Sequence, residues 1–398
     1  MQEAEQVAET AVGEFPLEQE AREQLRFTLV SQWKYAEART VCEEFVRLDN
    51  RHASAYLELA YAYGFEGDLP HALASVDRYA TFLPPNDPNP LDTRGDVQVM
   101  NGRFLEAIAA YRKNQELNPA WSPSSTASKI ALAYLHLGEY ALAEASARRS
   151  YDSAESAKPG AACVLGDIEV GRGQLDRAVA RYEESARLYA TENPELSQWP
   201  LLKAVQIYFE QGQPELALAV TRHSTSPWAA GFRGTAHLLL KEDAAAEKEF
   251  ADLRASVTPL VGDYMAGKTV DLHRLQAAAC AGRWQEVVTS WPQLGQQFWH
   301  LYALDVGRAY LKTGILPEAE RQLRFALKSG RYYGFPPPIT NSFLTYTLAQ
   351  FYLGRVFELT GKKPEAINAY KEFLSHFENS TAKLPQIAEA RAALKRLM

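Results

Sequence analysis

Leu353 to Phe377 reads LGRVFELTGKKPEAINAYKEFLSHF, and its centre, Gly361-Lys362-Lys363, is either a phosphate-gripping loop or a corner between two helices. A phosphate loop needs Gly-x-x-x-x-Gly-Lys-[Ser/Thr] between a strand and a helix, because stacked backbone N–H groups cradle the phosphates and the hydroxyl holds magnesium. Here Gly354 and Gly361 stand seven residues apart, Lys363 occupies the hydroxyl position, and the preceding run is apolar at helical spacing. The stretch is a corner: a helix, a Gly turn, then a second helix in which Ala366 and Tyr370 share a face.

The same corner recurs along the chain. Gly67-Asp68-Leu69 leads to Ala72 and Val76, Gly102-Arg103-Phe104 to Ala107 and Tyr111, and Gly138-Glu139-Tyr140 to Ala143 and Ala147. Gly173 leads to Ala178 and Tyr182, Gly212 to Ala217 and Thr221, and Gly314 to Ala319 and Leu323. The small residues Ala4, Ala38, Ala72, Ala107, Ala143, Ala178 and Ala217 are spaced by 34, 34, 35, 36, 35 and 39 residues. Beyond them Ala246, Val287, Ala319 and Ala366 continue at 29, 41, 32 and 47. A two-helix unit of about 34 residues cannot bury its apolar face alone, so such units stack.

The period, the Gly turn, the paired helices and the trailing prolines Pro84 and Pro119 resemble the tetratricopeptide repeat family over nearly the whole chain. Gly95, Gly166, Gly307 and Gly354 match that family's small first-helix residue, while Gln98 and Glu169 stand where it carries an aromatic, as Tyr310 and Phe357 do. Trp33, Lys241 and Glu242 replace the turn Gly. The resemblance implies an all-α, right-handed superhelical solenoid of about ten to eleven helix-turn-helix units with a C-terminal capping helix. It reads 1–398 as a single solenoid: a half-repeat or N-terminal cap helix at 1–16, repeats at 17–329, a Pro/aromatic loop at 330–342, a last repeat at 343–380 and a capping helix at 384–398. The first segment matches only the second helix of a unit. It is either a cap or the edge of a longer protein.

Composition narrows the function classes. The 398 residues are 46% hydrophobic and 23% charged, too apolar for disorder. A net charge of −7 argues against a nucleic-acid partner held through phosphates, so the 20 tyrosines are read as packing between units rather than as base-stacking platforms. Cys42, Cys163 and Cys280 lie too far apart for a Cys-x-x-Cys metal site or a dense disulfide framework. The acidic N-terminus lacks a signal-peptide pattern, and no run approaches a membrane span. The chain is expected in the cytoplasm, or outside the membrane if it belongs to a membrane-anchored parent. Oligomeric state is not set by the sequence.

No catalytic constellation emerges. Gly171-Arg172-Gly173 is a repeat turn without the strand a dinucleotide fingerprint requires. The eight histidines form no His-x-x-x-His or His-Glu-x-x-His pair, and His273-Arg274-Leu275 lacks the Asp of a kinase loop. No cofactor is expected.

First helices of stacked repeats line the concave surface, where binding is commonest. The in-phase positions there are Phe27, Tyr61, Asp96, Leu132, Asp167, Gln206, Gln276, Arg308 and Arg355, running from acidic to basic. Tyr61, Asp96, Asp167, Gln206, Gln276, Arg308 and Arg355 are the candidate groove contacts. Tyr332, Tyr333 and Phe335, beside Pro336-Pro337-Pro338, are candidate loop contacts, since three prolines forbid helix. The Lys/Asn/Arg clamp some family members use for chaperone tails is disfavoured, because Asp92 and Asp96 stand where cations or amides are wanted. The stretches LAQFYLGRVFELTGKKPEAINAYKEFLSHF and LPQIAEARAALKRL resemble repeat segments attached to bacterial Ser/Thr kinases and winged-helix regulators. The leading expectation is a non-enzymatic scaffold that binds a protein or peptide in its groove, as the sensing or docking part of a larger bacterial signalling protein. The alternatives are a free-standing assembly or secretion adaptor and an enzyme with a groove site built from several repeats.

Overall fold

The computed structural model describes residues 2–16, 18–31, 34–120, 123–192, 196–224, 226–294, 299–331, 343–377, 382 and 384–398, and among them every regular element is helical. A lone α1 (Gln2–Glu14) precedes the pairs α2 (Gln19–Ser31) with α3 (Tyr35–Leu48), α4 (Ala53–Glu66) with α5 (Leu69–Ala80), and α6 (Pro88–Met100) with α7 (Phe104–Leu117). After α8 (Pro123–His136) and α9 (Tyr140–Ser153) come α10 (Lys158–Gly171) with α11 (Leu175–Glu192), and α12 (Gln198–Glu210) with α13 (Pro214–Thr221). Then follow α14 (Ala229–Leu239), α15 (Asp243–Cys280), α16 (Trp284–Leu294), α17 (Trp299–Lys312) with α18 (Leu316–Ser329), α19 (Phe343–Leu359) with α20 (Lys363–Ser375), and α21 (Pro385–Leu397).

The small-residue series sets this pairing. Ala38, Ala72, Ala107, Ala143, Ala178, Ala217, Ala246, Val287, Ala319 and Ala366 are all between 0% and 1% exposed. A small side chain there, a methyl group at all but Val287, lets the second helix lie against the first; Ala4 lies outside the residues whose side chains are described. The first-helix glycines answer the same need from the other side. A Cβ at Gly95 would sit 2.2 Å from the Tyr111 ring, and one at Gly166 would sit 2.4 Å from Tyr182.

Interiors lie between neighbouring hairpins rather than inside any one of them. One core joins Ala60 of α4, Ala72 and Val76 of α5, and Val97 of α6. Another joins Val205 and Phe209 of α12, Ala217 of α13, and Phe232 and Ala236 of α14. Each phenylalanine buried this way contributes about 1.5–3 kcal/mol, available only when the next hairpin is in place.

Two irregularities have local causes. Where Lys241 stands in place of a turn glycine, it takes the left-handed backbone itself, at φ 62°. In α15 the second helix of one hairpin runs into the first helix of the next through Pro259 and Gly262, whose φ of 79° and ψ of 160° suit only glycine. That corner falls in the 41-residue interval between Ala246 and Val287, whereas the 29-residue interval before Ala246 goes with the short α13 and α14, of 8 and 11 residues. Trp33 lies outside the described residues.

The residues group into two compact units. Met1–Leu137 form the body of one, and Gly138–Gly295, His300–Gly330 and Phe335–Met398 that of the other. α8 ends the first and α9 opens the second.

Candidate docking faces

In the first unit the first-helix face passes through α2, α4, α6 and α8. Phe27 on α2 is 44% exposed. Glu23 and Glu20, one and two turns earlier, share its face by helical periodicity, and Glu20 is exposed. Tyr61 takes the equivalent place on α4 and donates its hydroxyl to Asp96 at 2.9 Å. Asp96, on α6, is buried, and it accepts from Tyr111 of α7 at 2.6 Å and from Lys129 of α8 at 3.0 Å. Lys129 also reaches Asp92 at 2.7 Å. Burial raises the Asp92 pKa, Asp96 adds to the rise and Lys129 opposes it. Burial works to lower the Lys129 pKa, but Asp96 and Asp92 outweigh it, so the ammonium stays charged. One carboxylate thereby ties four helices of three successive repeats into register.

The second unit repeats this device. Asp167 on α10, 1% exposed, accepts from Tyr182 of α11 at 2.8 Å and from Lys203 of α12 at 2.7 Å. Lys203 is itself 3% exposed, and its pKa is raised because Asp167 overcomes the effect of burial. The third bond differs: where Asp96 accepts from Tyr61 of the preceding repeat, Asp167 accepts from the backbone N–H of Phe343, at the start of the distant α19, at 3.3 Å.

Other bonds run beside it between distant parts of the chain. Gln206 of α12 donates to Thr345 of α19 at 2.6 Å, and Arg308 of α17 donates to Glu210 of α12 at 2.5 Å. Tyr140 of α9 meets His376 Nδ1 at 3.0 Å. Phe343, Leu344, Thr345, Tyr346 and Thr347 are 0–4% exposed, so the opening turn of α19 is enclosed on all sides. An all-round apolar helix belongs in an interior. Within this unit the face formed by α10 and α12 is covered by the chain's own later helices.

Arg308 lies over the rings of Trp284 and Tyr352, at 5.7 and 5.1 Å, and 3.7 Å from Asp305. Asp305 is pushed up to about 7 by burial, with Glu210 raising it further and Arg308 opposing. Burial alone lowers His376 to about 4 and His273 to about 3.

The sequence-derived contacts thus fall into distinct settings. Asp96 and Asp167 are buried carboxylates clamped by tyrosine and lysine, while Gln206 and Arg308 bond across the second unit. Gln276 is 8% exposed, and its Oε1 has no hydrogen-bond partner among the described residues. Arg355 is half-exposed, 3.6 Å from Glu389. Tyr332, Tyr333 and Phe335 lie outside the described residues. Lys129, Lys203, Glu210 and Asp305 were not singled out from sequence. A Gly-Asp pair with Tyr 15 residues on, at Gly95-Asp96 and Gly166-Asp167, is the signal that would have found the two lysines. Among the described residues no group of His, Cys, Asp and Glu is arranged to hold a metal, and no helix is long and apolar enough to cross a membrane.

No family model matches the chain, and no curated protein matches it. Among solved structures it is similar to the APC/C hetero-tetramer Cut9–Hcn1, at 14% identity over 99% of this chain and 79% of that one, TM-score 0.41. It is also similar to a tetratricopeptide repeat protein from Parabacteroides merdae, at 16% identity over 68% of this chain and 99% of that one, TM-score 0.35. PilW, a type IV pilus biogenesis factor, matches at 16% identity over 61% and 96%, TM-score 0.34. The fold rests on the chain's own geometry: Gly-turned helix pairs, a small residue buried at each described crossing and cores shared between neighbours make it an all-α array of tetratricopeptide-like hairpins.

Proposed function

We propose that the chain is a non-enzymatic docking scaffold that binds a protein segment on the first-helix face of its first unit, as the sensing or docking part of a larger bacterial signalling protein. The observation that carries this reading is Phe27, a large aromatic left 44% exposed on that face. It stands in register with Tyr61, and Glu20 and Glu23 lie along the same helix. Aromatic side chains with acidic neighbours suit an apolar anchor flanked by lysine or arginine. The paired carboxylates support the scaffold reading too, because Asp92, Asp96 and Asp167 face cations of the chain itself and stabilise repeat register.

A photo-crosslinking residue at Phe27, compared with one at Leu105 in the second helix α7, tests the proposal. A discrete adduct from the Phe27 position alone is expected, and the partner so identified should bind the purified chain at least tenfold more weakly after Phe27→Ala. Equal labelling from both positions, or affinity unchanged by Phe27→Ala, would count against it.

A further inference from the structure

We infer that the face formed by α10 and α12 is a second docking face, occupied here by the opening turn of α19, and that the second unit parts along this seam to accept a partner helix of the same chemistry. The inference rests on reading the chain as a docking scaffold, but it concerns a different face, so crosslinking at Phe27 and the exchange described below fail independently.

The seam combines polar bonds with the burial of one short apolar turn. Apolar cores lie between consecutive hairpins, as with Val205, Phe209, Ala217, Phe232 and Ala236, and parting the seam leaves those cores intact. What it breaks is the burial of Phe343, Leu344 and Tyr346 together with four polar contacts: Asp167 to the Phe343 N–H, Gln206 to Thr345, Glu210 to Arg308, and Tyr140 to His376. Each of these groups exchanges its partner for water or for equivalent groups on another molecule. α19 itself remains packed with α18 and α20. The surfaces that change are those facing its opening turn, Arg308 of α17 and His376 after α20.

The covered face also states what it recognises. Asp167 accepts one of the N–H groups that the first turn of any helix leaves unpaired. Gln206 reads a hydroxyl two residues further on, and aromatic rings occupy the first and fourth positions of the turn, Phe343 and Tyr346. Glu210, released from Arg308, takes a cation. Gln276, on the first-helix face of a later hairpin in the same unit, keeps a buried carbonyl oxygen with no partner among the described residues. The fitting partner is therefore a helix that begins with an aromatic residue, carries Ser or Thr at its third position and brings an arginine or lysine.

The test uses the full chain and a fluorescent peptide spanning Phe343–Arg355. Thr345→Val/Arg308→Gln weakens the seam without altering Asp167, Gln206 or Glu210, and Gln206→Cys/Thr345→Cys closes it as a disulfide confirmed by mass. The peptide is expected to bind the weakened form at least tenfold more tightly than wild type and to ignore the oxidised form. It should regain binding after reduction, and a scrambled peptide should bind none of them. If the double variant does not fold, Thr345→Val alone is read the same way. Equal affinity for weakened and wild-type chains, binding to the oxidised form, or no binding to any form would overturn the inference.

Discussion

The Asp96 cluster of the first unit and the Asp167 cluster of the second are built from the same parts. Each sets an aspartate after a first-helix glycine, a tyrosine over that glycine and a lysine from the next repeat. They differ in surroundings. The side chains of Lys129 and Asp96 are 16% and 10% exposed, whereas those of Lys203 and Asp167 are 4% and 1% exposed, with α19 covering them. At these two places adjacent repeats therefore fix register with one device, and what makes a first-helix face open or closed is whether distant repeats return to it.

The largest effect is expected from Lys203→Met, which leaves Asp167 buried without a counter-charge and should cost about 3–5 kcal/mol. Lys129→Met should cost clearly less, because water reaches Asp92 and Asp96. Urea midpoints compared at one temperature separate the two, and equal losses would erase the distinction between the clusters. Gly95→Ala and Gly166→Ala come next, each about 1–3 kcal/mol, since the new methyl meets a tyrosine ring that has no room to retreat. Similar values for both would show that helix crossing is a local property of each hairpin.

A pH series sharpens the comparison. Asp305 has a folded-state pKa of about 7, raised above its unfolded value of 3.8. Its contribution is fully present below that unfolded value and is lost as pH rises through about 7. His376 and His273, depressed to about 4 and about 3, act oppositely and only below their unfolded value of 6.5. Between pH 6.5 and 8 thermal stability should therefore fall, and Asp305→Asn should flatten that slope. The smallest effect belongs to Arg355→Glu. Its contact with Glu389 is half-exposed, so the midpoint should move by no more than about 0.5 kcal/mol.

Much of the fold was legible in the sequence because close crossing leaves a strict trace. A small residue recurs at 34 to 36 residues through the first five intervals, and every member of that series whose side chain is described is buried. The phase roughens after Ala217 because helix lengths change there: α13 and α14 hold 8 and 11 residues, and α15 runs for 38 through the corner at Pro259 and Gly262. The candidate contacts were read less completely. Periodicity placed Asp167, Gln206 and Arg308 on the first-helix face, but what faces them depends on rotation accumulated over several hairpins, which no local pattern encodes. A hint lay in the run FLTYTLAQFYLG, apolar on every side of its helix and so marked for an interior rather than a groove wall. Lys129 and Lys203 lie 33 and 36 residues beyond their aspartates, one repeat away, where a search within a single repeat does not look.

Hydroxyl-radical footprinting of the intact chain measures the contrast directly, because Phe27, Phe343 and Tyr346 all carry reactive rings. Phe27 should be modified at the rate of an accessible aromatic, and Phe343 and Tyr346 at least tenfold more slowly. Comparable rates for the three would mean that the second unit's inner face is not closed by α19, and the distinction between the two units would fall.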